Sequence, residues 1–72
     1  SVAAGSKVVF RALKDSSVDF LLYLNKKDLQ LGAEITVESV ESFDKSVVVT
    51  YANHSFQVLT DRVASRLLVE LI

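Results

Sequence analysis

The five residues Val47-Val48-Val49-Thr50-Tyr51 constrain this chain more than any other stretch. Four are β-branched and the fifth is aromatic. Such side chains are stiff in a helix but pack well on a pleated surface. A strand needs hydrogen-bonding neighbours, and the sequence supplies four more candidates. Val8, Val9 and Phe10 lie in a run from Lys7 to Leu13, with Gly5 as the turn before it. Ile35, Val37 and Val40 alternate with Glu34, Thr36, Glu38 and Ser39, which reads as a half-buried strand. Phe56 and Val58, with Thr60, then follow on one face, and Leu67 to Leu71 closes the chain.

Between the first two strands, Asp15-Ser16-Ser17 gives a helix start, because these side-chain oxygens can cap free amides. Val18, Leu21 and Leu22 lie at helical spacing, and Phe20 and Leu24 form a neighbouring stripe. The helix is expected from Ser16 to Lys27, fading over Asn25, Lys26 and Lys27, where basic groups suit the negative end of the dipole. Gln30-Leu31-Gly32 is a turn in which Gly32 supplies positive φ or a close backbone approach. Phe43-Asp44-Lys45-Ser46 is a polar hairpin connection and Asn53-His54 another turn. Thr60-Asp61 caps one helical turn through Val63 and Ala64. The expected order is strand, helix, three antiparallel strands, helical turn, strand. That is a mainly β domain with one helix, spanning residues 1–72. Short strands joined by tight turns favour a small closed or partly closed barrel.

Composition narrows the function. The hydrophobic fraction is 50% and the charged fraction 24%, ordinary for a globular domain. Without cysteine there is neither a disulfide nor a thiolate metal site, and a cytoplasmic setting fits. The longest apolar run, Phe20 to Leu24, is far short of the roughly 20 residues of a membrane span, so no membrane insertion is expected. Net charge is −1, and Lys26-Lys27 is the only adjacent basic pair. Nucleic-acid binders carry a basic stripe, so no direct nucleic-acid contact is expected. The start at Ser1, in a chain with no methionine, suggests a segment excised from a longer protein.

No catalytic set emerges, and the chain is expected not to be an enzyme. His54 is the only histidine and has no cysteine to work with; it reads as an exposed turn residue. No serine sits in a Gly-x-Ser-x-Gly elbow, and two glycines cannot make a phosphate loop. Glu34, Glu38 and Glu41 read as a solvated strand face rather than a hard-cation site. The run Phe20-Leu21-Leu22-Tyr23-Leu24 is apolar around more of the helix than a small barrel can bury. Phe20, Tyr23 and Leu24 are therefore expected to meet a partner protein.

Two longer patterns carry a family resemblance. Leu24-x4-Leu29-x-x-Gly32-x-x-Ile35-x-Val37 resembles the central signature of FeoA-type domains. Val58-Leu59-Thr60-Asp61-x-x-Ala64-x-x-Leu67-x-Val69 resembles their closing strand, helical turn and strand. The resemblance implies an SH3-like β-barrel, with Gly32 in a structural turn. It also implies one of two settings. The first is the C-terminal, regulatory domain of an iron- or manganese-dependent transcriptional repressor similar to the diphtheria toxin repressor. Its partners would be the other domains of the same repressor, with a homodimer formed through the full-length protein. The second is a stand-alone accessory of a ferrous iron transporter. Stand-alone members often have glycine before the position of Leu29 and proline before Gly32; Asp28 and Leu31 stand there and favour the repressor.

In repressors of that type, an acid and an amide three residues apart serve an accessory metal site. An ungapped count from Gly32 places them at Ala12 and Asp15. Ala12 has no donor atom, so Asp15 is the one candidate metal ligand, in competition with a helix cap. The isolated domain is expected to hold no metal, with Fe2+ or Mn2+ reserved for the full-length protein. A generic SH3 groove for proline-rich peptides needs an aromatic-lined surface, and the six aromatics here lie mostly at core-like spacing.

Overall fold

The computed structural model describes residues 3–15, 17–52 and 54–72. Five strands form: β1 (Lys7–Leu13), β2 (Glu34–Val40) and β3 (Val47–Tyr51), rich in β-branched residues, then β4 (His54–Leu59) and β5 (Leu67–Leu71). The helix α1 (Val18–Lys26) follows β1, and the single turn α2 (Asp61–Ala64) joins β4 to β5. All neighbours are antiparallel, in the order β4-β3-β2-β1-β5. The ladder stays open between β4 and β5, so the barrel is of the partly closed kind, and α2 spans the gap.

Cross-strand register explains the core. Val8 stands opposite Ile35, Ile35 opposite Tyr51, and Val37 opposite Val49, so these side chains share one face. With Phe10, Leu24, Leu29 and Leu59 they form the buried cluster. Three register shifts add one residue each to β1, β2 and β4. Such bulges bend a strand and raise its twist, which is how a short sheet curls. In β4 the bulge puts Phe56 at φ 54°, and its amide donates to Thr50 Oγ1 at 3.1 Å. Phe56 and Val58 point outward, and Leu59 is the side chain that enters the core. Alternation showed two faces, but it could not say which one packs.

Local chemistry ends the helix. Ser17 is the N-cap, its Oγ accepting from the Phe20 amide at 3.4 Å, while Ser16 lies outside the described residues. At the other end the Leu29 amide reaches the Leu24 carbonyl at 3.0 Å and the Asp28 amide reaches that of Asn25 at 3.1 Å. Asp28 adopts φ 59° between them. This is a Schellman motif, and the hydrophobic contact that accompanies it is the buried pair Leu24 and Leu29. Asp28 thus takes the left-handed position that glycine usually fills, which short polar side chains tolerate best.

Gly32 sits at φ 89° and donates to the Phe10 carbonyl at 2.7 Å. A Cβ there would meet nothing within 4 Å, so the backbone conformation, not crowding, requires glycine. Gly32→Ala should cost about 1–2 kcal/mol in a urea melt, the usual penalty of a left-handed alanine. A loss below about 0.5 kcal/mol would contradict that account.

Candidate functional site

Part of the domain's exposed apolar surface lies on α1. On one side of α1, Leu24 is 4% exposed, and Phe20 and Tyr23 pack half-buried against the core. On the opposite side, Val18 is 70% and Leu22 55% exposed, with Leu21 beside them. The apolar run does exceed what one face buries, but the surplus is Val18, Leu21 and Leu22. Leu24 is a core residue and cannot meet a partner in the folded domain. Phe20 and Tyr23 offer only their edges. The sequence pattern held both stripes, three residues against three, and only the docking angle of the helix separates them. Lys27 Nζ lies 5.8 Å from the Tyr23 ring centroid, a cation–π contact that helps keep the ring down.

Asp15 sits just after β1 with both carboxylate oxygens engaged. Oδ1 accepts from the Ser17 amide at 3.0 Å, and Oδ2 accepts from Arg66 Nε at 3.1 Å. The Ser17 amide, followed by Arg66, holds the carboxyl below its ordinary value of 3.8. One side chain therefore ties the end of β1, the start of α1 and the loop before β5 together. A metal at Asp15 would have to displace Arg66, and Ala12, paired with Leu68 in β1 and β5, brings no donor. Among the described residues no three His, Cys, Asp or Glu side chains gather as a metal site. Asp15 and Ala12 therefore do not make a metal site between them.

His54 also differs from expectation. It opens β4 instead of lying in a turn, and its Nε2 is 3.3 Å from Asp28 Oδ2. Its ring centroid is 5.5 Å from that of Tyr51. Asn53 lies outside the described residues. The Asp28–His54 and Asp15–Arg66 pairs span 26 and 51 residues, and nothing in the local sequence announces either. Glu34 is exposed and Glu38 half-exposed on β2, as a solvated face should be, and Glu41 lies beyond the strand.

Comparison with known proteins follows the geometry. A family model described as "FeoA domain" matches residues 1–71. A search of curated proteins finds no match. Among solved structures the fold is similar to one described as the "X-ray crystal structure of metal-dependent transcriptional regulator MtsR", with TM-score 0.87 and 18% identity. The superposition covers 99% of this chain and 34% of that one, so this chain spans about a third of the regulator's length. The likeness establishes a small, mainly β, SH3-like fold. No helix is long and apolar enough to cross a membrane among the described residues.

Proposed function

Since the chain belongs to the FeoA domain family, we propose that it is a non-catalytic interaction domain at the C-terminal end of an iron- or manganese-dependent transcriptional repressor. In this reading it docks on the other domains of the same protein and adjusts their response to metal. The observation that carries it is the exposed stripe Val18, Leu21 and Leu22, backed by a helix firmly capped at both ends. The family match and the solved regulator of similar fold support the setting. Fe2+ or Mn2+ would be held by residues of the other domains, because Asp15 is committed to Arg66 and to the helix cap. With a net charge of −1, the domain leaves DNA to its neighbours.

Hydrogen exchange on the intact protein, compared with the isolated domain, tests the reading. Amides of α1 should gain protection in the intact protein, and Leu22→Asp should abolish that gain while leaving the isolated domain's melting temperature within the scatter of surface substitutions. Protection gained elsewhere, and not on α1, places the contact on another surface. Protection gained only with a ferrous iron transporter favours the stand-alone accessory instead.

A further inference from the structure

The hairpin between β2 and β3 presents Phe43 at 93% exposure. Its loop is built to hold that ring out. The Phe43 amide donates to Glu41 Oε1 at 3.0 Å. Ser46 donates to Asp44 Oδ1 from its amide at 3.0 Å and from its hydroxyl at 2.7 Å. The Glu41 amide closes the base on the Ser46 carbonyl at 2.8 Å. A loop backbone held this way loses little further entropy when its tip binds.

A matching hole lies beside it. The open side of the barrel is a cleft of about 910 Å³, walled by Val40, Val47, Leu59, Leu67 and Leu71. A cavity of about 150 Å³ already holds a benzene ring, so a phenyl group fits. Phe43 does not fill the cleft of its own chain, as its exposure shows. Val40 and Lys45, which flank Phe43 in sequence, line the cleft mouth, so knob and hole share one end of the molecule. That adjacency is what a closed two-fold contact needs, since each patch must be its own complement. The rim carries both signs, Lys14 and Lys45 against Asp61. None of the three has an ion-pair partner among the described residues.

We propose that two copies of this chain associate about a two-fold axis, each inserting Phe43 into the open apolar cleft of the other. The rim charges then meet in opposite pairs, Lys45 of one copy facing Asp61 of the next. The total surface is 4875 Å², and a standard interface of about 800 Å² per partner would take a sixth of it. A contact limited to the knob and the cleft would bury less than that and fall in the weak, reversible class. It is separate from the α1 surface and does not rest on the repressor reading.

Sedimentation equilibrium of the 72-residue chain, from about 10 µM to about 1 mM, tests this. A concentration-dependent dimer is expected. Phe43→Asp on the knob, and separately Leu71→Glu on the wall, should each raise its dissociation constant at least about tenfold, as buried anchors do. Both side chains are exposed in the monomer, so circular dichroism should be unchanged. A chain that is still monomeric at about 1 mM overturns the proposal, as does a dimer indifferent to either substitution. Protection of the cleft by another domain of the intact protein, without self-association, overturns it as well.

Discussion

Phe10→Ala should remove about half of this domain's stability at room temperature. Phe10 is 1% exposed on β1, the strand paired on both sides by β2 and β5. Its amide donates to Ala33 at 3.0 Å, and its carbonyl receives the Gly32 amide at 2.7 Å, so the backbone cannot shift to fill the gap. Truncating a buried phenylalanine costs about 3–5 kcal/mol. A 72-residue domain has only about 4–11 kcal/mol to lose, at the usual marginal stability per residue. A urea melt followed by far-ultraviolet circular dichroism measures it, with Phe43→Ala as the control. The two substitutions remove the same atoms, yet the exposed Phe43 should cost less than about 0.5 kcal/mol. Comparable losses at both positions would show that Phe10 is not the centre of the core.

The contrast between these phenylalanines marks how far the sequence can be read. The β1 boundaries, the alternation of Ile35 and Val37, and the Gly32 turn were legible because each rests on local chemistry: branching, period and positive φ. The inward side of β4 was not, because Phe56 and Val58 share a face by alternation and only the packing of the sheet sends that face outward and Leu59 inward. The helix stripes were ambiguous for a related reason. Val18, Leu21 and Leu22 are as apolar as Phe20, Tyr23 and Leu24, and only contact with Leu29 and the sheet selects the second set. Asp15 was legible as part of the helix start, where it accepts from the amide of the N-cap Ser17. Its bond to Arg66 was not, since it depends on α2 carrying the chain back across the open side of the barrel. The exposed Phe43 was hidden in a loop that read as polar.

Above pH 10 this domain should lose stability, with Tyr51 as a group responsible. Tyr51 is 2% exposed, and its hydroxyl donates to the Lys27 carbonyl just past the end of α1, at 2.7 Å. Burial, and then the carboxylate of Asp28, push the phenol above its ordinary value of 10.0. The phenol is neutral in both states below pH 10, so its hydrogen bond contributes in full there. As pH rises further, the unfolded chain ionises first, and the folded state loses stability until its own raised value is passed. A phenolate can no longer donate to Lys27, and it would face a carbonyl and Asp28 at the negative end of the helix dipole. Tyr51→Phe separates the two effects. It should cost about 1 kcal/mol at neutral pH, where the Lys27 carbonyl loses its donor. Between about pH 9 and 12 the variant's melting temperature should fall less steeply than the wild type's, and the two curves should converge or cross. Parallel curves would clear Tyr51 of the alkaline loss.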